Sequence, residues 1–164
     1  AIAIFNADCP VVILFDKNLG QLVLLHAGFR CLVPKEKNRS SIIEEAFKHF
    51  PIEPRKIEAF IGFGAGPCCY GFRYIEEADR PRIRPFLNRT TRGPRIDHIF
   101  SLDLFELAAH QLIGCGINPN AISTNRTCTA CAGRENYGEG YYHSNIYDGK
   151  SAGRNLVLAW FEAR

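Results

Sequence analysis

Two short apolar runs stand near the start of the chain, Val11-Val12-Ile13-Leu14-Phe15 and Leu22-Val23-Leu24-Leu25, with the turn Lys17-Asn18-Leu19-Gly20 between them. Runs of this length around a Gly/Asn turn predict two buried antiparallel strands. Folding back at residues 17 to 20 pairs Phe15 with about Gln21 and carries Cys9 and His26 to one end of the ladder. The opening Ala1-Ile2-Ala3-Ile4-Phe5 is also strand-like. Further on, Ser41 and Glu44 have capping-box spacing, and Ile42, Ile43, Ala46, Phe47 and Phe50 recur at helical period. They predict a helix over 40–50, closed by Pro51 and Pro54.

The remaining pattern predicts strands over 57–63, 96–102, 122–124 and 155–161. A second helix runs from an Asp103 cap to Gly114 and ends at Gly114 and Gly116. Residues 80–95, with six arginines and with prolines at 81, 85 and 94, read as a solvated, irregular loop. Asp148-Gly149 reads as a turn. Helices and strands mix without strict alternation, and the first hairpin is antiparallel. The expected class is therefore α+β, with mixed β-sheets and flanking helices.

Composition narrows the picture. A length of 164 residues suits a single domain, 1–164, and 46% hydrophobic with 23% charged residues argues against disorder. No run approaches a membrane span, and a net charge of +3 does not call for a nucleic-acid partner. The chain starts in the middle of a strand-like run, so a longer parent that has lost an N-terminal part is expected. The cysteines number seven, Cys9, Cys31, Cys68, Cys69, Cys115, Cys128 and Cys131, which is odd and scattered for a secreted disulfide scaffold. Asn-x-Ser/Thr triplets at Asn38, Asn88 and Asn125 would suit secretion but arise often by chance. Reduced thiols and a cytoplasmic location are expected.

Three stretches carry candidate chemistry. Cys9 beside His26 offers either a thiolate nucleophile or half of an N/S metal site; the plainer alternative is a buried thiol and a satisfied imidazole. Gly62 to Tyr70 is a Gly-rich turn after a strand, able to present backbone N–H groups to an anion or simply to turn the chain. Cys128-x-x-Cys131 is a redox motif or half of a zinc knuckle, but Gly133, Gly138 and Gly140 point to a loop. A second Cys/His pair for the knuckle is not close in sequence.

Taken in order, several landmarks resemble the laccase-domain family, whose members are also called polyphenol oxidase, purine nucleoside phosphorylase or peptidoglycan-editing-factor proteins. They are Ala7-Asp8-Cys9-Pro10-Val11, His26-Ala27-Gly28-Phe29-Arg30, Gly66-Pro67-Cys68-Cys69-Tyr70, Leu102-Asp103-Leu104, Cys128-Thr129, and Asp148-Gly149 with Gly153-Arg154. The resemblance implies α/β/β/α-like layers and a metal site, usually zinc, of one Cys and two His. Cys9 and His26 match the Cys and the second His. The first His lies in the family on an upstream Gln-Val-His-Gly stretch that this chain does not contain, so the chain is N-terminally short relative to the family. Phe29 stands where the family has Trp, Gly71 where it has Glu, and Ser144-Asn145-Ile146-Tyr147 where it has Ser-x-Arg-Arg. Arg126, Arg134 and the 80–95 arginines are the cations available in place of that pair.

The resemblance further implies an enzyme acting on purine nucleosides, a phosphorylase or adenosine deaminase with zinc as cofactor, copper as the other candidate, and phosphate as co-substrate. In that reading Cys9 and His26 bind the metal, Asp8 orients a ligand or acts as base, and Arg30 anchors an anion. Gly66, Cys128, Thr129 and Ser144 line the substrate pocket. A small-molecule partner is expected, with no membrane or nucleic-acid partner, and a homo-oligomer is a further expectation. The alternatives are a metal-free Cys–His thiol hydrolase, a copper polyphenol oxidase, and a degenerate homologue that binds without catalysis.

Overall fold

The computed structural model describes residues 1–36, 38–50, 53–71, 75–89, 100–135, 142–149 and 152–161. Its strands are β1 (Ile2–Asn6), β2 (Val11–Asp16), β3 (Gln21–His26), β4 (Ile57–Ile61), β5 (Leu87–Arg89), β6 (Phe100–Leu102), β7 (Ile122–Thr124) and β8 (Asn155–Ala159). The predicted hairpin forms between β2 and β3. Asp16 Oδ1 accepts from the amides of Asn18 at 2.8 Å and Leu19 at 3.1 Å, and Gly20 takes the positive φ of 61° that the turn needs. Phe15 faces Leu22, one residue from the expected Gln21, and Val11 faces His26 at the far end.

β2 is central in a four-stranded sheet of order β3-β2-β4-β7, antiparallel to both neighbours, while β7 runs parallel to β4. β2 is flanked on both edges, with Val12 and Leu14 buried in the core and Ile13 and Phe15 partly exposed on the opposite face, where Glu58 and Phe60 of β4 are exposed as well. One layer of helices covers the sheet. The helices are α1 (Phe29–Leu32), α2 (Ile42–His49), α3 (Arg80–Ile83), α4 (Leu104–Gly114), α5 (Thr129–Glu135) and α6 (Asn145–Asp148). Leu14, Ile61, Ile43, Phe105 and Leu112 meet in the core, each almost wholly buried.

The predicted caps are in place. Glu44 N donates to Ser41 Oγ at 3.2 Å and Ser41 N to Glu44 Oε2 at 2.7 Å, the reciprocal pair of a capping box. Asp103 accepts from the amides of Phe105 and Glu106, and Gly116 closes α4 with φ 96°. On the other side β1 and β8 pair as an antiparallel ribbon, Ile2 opposite Ala159 and Asn6 opposite Asn155. One face of that ribbon is exposed and apolar: Phe5 at 61%, Leu156 at 49% and Leu158 at 50%.

Four local expectations change. The strand after Ile57 stops at Ile61, and the last strand stops at Ala159. Residues 80–89 are ordered rather than irregular: Pro81 sits in the first turn of α3, where its missing N–H costs nothing, and Ile83 is wholly buried beneath it. Asp79 pairs with both Arg30 and Arg82 and so settles part of the arginine charge. Residues 90–95, and 96–99 of the expected strand, lie outside the described residues. Cys128-x-x-Cys131 is not in a loop, because Thr129 to Glu135 is helical and a single Gly133 is tolerated there; Gly138 and Gly140 lie outside the described residues. No helix among the described residues is long and apolar enough to cross a membrane.

Leu14→Ala should destabilise the chain by about 2–5 kcal/mol in urea unfolding. Phe5→Ala, on the open ribbon, should change it by no more than about 0.5 kcal/mol.

Candidate functional site

The segment Asp8-Cys9-Pro10 leads into β2 with each of its carbonyls held by a different part of the chain. Ala65 N donates to Asp8 O at 2.6 Å, Asn6 Nδ2 to Cys9 O at 2.8 Å, and Ala27 N to Pro10 O at 2.8 Å. The last of these extends the β2–β3 ladder past Val11 and His26 and brings the Cys9 side chain alongside the end of β3. Gly28 is the point where they meet. A Cβ on Gly28 would lie 2.7 Å from Cys9 Sγ, too close to be accommodated without a shift, and 3.4 Å from His26 Cδ2, so it is the thiol that requires glycine here.

Burial sets the charge state of this pair. The Cys9 thiol is pushed up to about 11, first by desolvation and then by the Asp8 carboxylate and Cys31, against a smaller opposing pull from Arg154. Desolvation lowers the His26 pKa. Both groups are therefore neutral near pH 7, a thiol beside an imidazole rather than a thiolate–imidazolium pair.

Asp8 is buried and its carboxylate is filled from the far end of the chain. Oδ1 accepts from Thr129 Oγ1 at 2.8 Å and Ser144 Oγ at 2.6 Å, and Oδ2 accepts from Ile146 N at 2.9 Å. Ser144 also caps α6, accepting from Tyr147 N. Asn155 completes the join, donating to Ala7 O at 3.2 Å and His143 O at 2.9 Å and accepting from His143 N at 2.8 Å. Asn155 carried no sequence signal beyond its place at the start of a strand. Thr129 and Ser144, expected in a substrate pocket, are thus wholly buried partners of Asp8.

Arg30, expected as an anion anchor, is engaged. It pairs with Asp79 at 2.6 Å and Glu76 at 2.7 Å, and its guanidinium lies 5.0 Å over the Phe29 ring. Arg126 pairs with Asp103 and with Glu106 at 3.8 Å. A cavity of about 420 Å³ opens beside α1, with Arg30, Cys31, Lys35, Arg39 and Ile42 on its walls. Cys31 links it to the pair, since it both lines the cavity and acts on the Cys9 thiol.

Cys128 and Gly66 belong to a second constellation. Past their last residues β4 and β7 keep a parallel contact, Gly64 bridging to Cys128, with Gly64 N on Thr127 O and Thr129 N on Gly64 O. This sets the Gly66–Tyr70 turn over the start of α5. Four sulfurs converge there: Cys68 and Cys69 each lie 3.5 Å from Cys131, and all four, with Cys128, fall within 4.8 Å of one another. A Cβ on Gly66 would come 3.2 Å from Cys128 Cβ. Cys128 is held as the acidic member because the Cys68 and Cys69 thiols donate to it, and theirs are raised in turn. The second pair that a knuckle needs is thus Cys68-Cys69, distant in sequence and adjacent in space. Two cysteine pairs, one in a Gly-rich turn and one after a short strand, were the available signal.

A sequence profile described as "Multi-copper polyphenol oxidoreductase laccase" matches residues 1–162. No curated protein matches the chain. Among solved structures, the Bacillus licheniformis hypothetical protein YfiH is similar, with a TM-score of 0.68 at 21% identity over 94% of this chain and 55% of that one. Neisseria meningitidis protein NMB0706 matches with a TM-score of 0.69 at 20% identity, over 94% and 57%. YlmD from Geobacillus stearothermophilus matches with 0.64 at 25% identity, over 94% and 54%. The chain thus spans little more than half the length of these proteins. Copper, which the profile's description implies, does not fit Cys9 and His26: among the described residues no third His, Cys or carboxylate gathers with them, and a multi-copper centre needs several such groups.

Alkylation of Cys9 in the folded chain, followed by peptide mass spectrometry, should be slow at about pH 8 and should rise about tenfold per pH unit up to about pH 10. A rate that levels off below the ordinary thiol pKa would show that Cys9 ionises more easily than its burial allows.

Proposed function

The chain belongs to the multi-copper polyphenol oxidoreductase laccase family, and from that premise we propose an enzyme that cleaves purine nucleosides at the Cys9–His26 pair. The convergence of the thiol and the imidazole on Gly28 carries the reading. A neutral imidazole of lowered pKa suits proton relay at neutral pH. In phosphorolysis the C1′–N9 bond breaks and a C1′–O bond to phosphate forms; His26 accepts the proton of the attacking phosphate and passes it to the leaving base. Arg39, on the cavity that Cys31 shares, is the cation placed to receive phosphate, since Arg30 is spent on Asp79 and Glu76 and Lys35 on Glu76. The thiol of Cys9, neutral near pH 7, speaks against a metal-free thiolate hydrolase. Deamination of adenosine would use the same base on water.

A second reading has its own support. Asp8 is saturated and Arg30 is paired, so two expected catalytic groups are occupied in holding the fold. That favours a homologue that binds a nucleoside without turnover.

One assay separates them. The full chain, incubated with adenosine, inosine or methylthioadenosine, should release free base only when phosphate is present. His26→Ala should lower that rate at least about a hundredfold. Binding by calorimetry with neither base nor inosine released would favour the second reading. Base release undiminished in His26→Ala would contradict the first.

A further inference from the structure

We propose that Cys68, Cys69, Cys128 and Cys131 form a tetrathiolate site for a single zinc ion, separate from the Cys9–His26 pair and independent of the nucleoside reading. Four sulfurs around zinc at about 2.3 Å stand about 3.8 Å apart in a tetrahedron. Here two of the separations are 3.5 Å and none exceeds 4.8 Å, so the ligand shell is close to formed before the ion enters. The spacing also selects the class of ligand. An iron–sulfur cluster puts an inorganic core between its thiolates and needs them farther apart than this. Hard cations want oxygen ligands, and this group offers sulfur alone.

The surroundings suit a closed, structural site. Cys69 and Cys128 are buried, and Ala130 and Ile146 pack against the cluster. Backbone bonds fix both arms, Cys69 N and Tyr70 N on Gly66 O in one turn and Ala132 N on Cys128 O in the helix. Each thiol still carrying its proton gives it to solvent as the zinc–sulfur bond forms, and no electron moves. The ion would then lock the Gly66–Tyr70 turn to α5. Thr129, next to Cys128, transmits that hold to Asp8 and so to Cys9.

The test loads the full chain, purified under reducing conditions, with zinc sulfate, removes the excess, and measures bound metal by mass spectrometry of the native protein. One zinc per chain is expected, retained in Cys9→Ala and His26→Ala and lost in Cys68→Ser and in Cys131→Ser. These two are chosen because both residues are only half-buried, so the variants should still fold. Cobalt(II) loaded in its place should give the intense visible absorption of tetrahedral thiolate. The proposal is overturned by a wild-type chain that takes up no zinc, by zinc lost in Cys9→Ala yet kept in Cys131→Ser, or by an iron ion in its place. A chain two hydrogens lighter, carrying a disulfide within this group that excludes zinc under reducing conditions, would equally overturn it. Loss of nucleoside cleavage with zinc retained would count against the nucleoside reading alone.

Discussion

The buried carboxylate of Asp8 is the constraint on which the arrangement depends. A charge removed from water must be met by donors, and Asp8 finds three: two hydroxyls and one amide, all from residues more than 120 positions away. They belong to the start of α5 and the start of α6, neither of which joins the central sheet. Asp8 therefore attaches the last third of the chain to the turn that enters β2. Its neighbour Cys9 is placed as a consequence, with Asn6, Ala65 and Ala27 clamping the backbone on either side.

The same burial decides what the candidate site can do. Cys9 sits between a carboxylate and a desolvating wall, and both hold its proton on. His26 loses its affinity for a proton to burial alone. A pair that looks like a nucleophile and its base is thus tuned toward neutral proton transfer or toward a softer role as donors. The four-cysteine group differs in kind: it is closed, sulfur-only and built on one turn and the start of α5, with a close approach at Gly66. Thr129 stands between the two centres, beside Cys128 in the chain and bonded to Asp8 in space.

Much of the fold was legible because its signals are local. The β2–β3 hairpin, the Ser41 capping box and the Asp103 cap rest on residues within a few positions of one another, and each formed as its pattern required. The placing of Cys9 and His26 at one end of the ladder followed from hairpin register. What was not legible depends on long-range encounters. Nothing in the spacing of Cys68-Cys69 and Cys128-x-x-Cys131 says that β4 and β7 run parallel and set them face to face. The partners of Asp8 and Arg30 were hidden for the same reason, so both residues looked free for catalysis. Arginine and proline density at 80–95 suggested a solvated, irregular loop where Ile83 and Asp79 supply an anchor.

The most direct measurement is the urea-unfolding midpoint of Asp8→Asn. The substitution keeps size and shape but removes the charge and turns one oxygen into an N–H₂, which meets the Ile146 amide as donor against donor or makes the Thr129 and Ser144 hydroxyls turn round and accept. A loss of about 2 kcal/mol or more is predicted, because hydrogen bonds to a charged acceptor are replaced in either orientation by weaker or opposed ones. A midpoint equal to that of the unsubstituted chain would contradict the account, because the two ends of the molecule would then be joined by something other than this carboxylate.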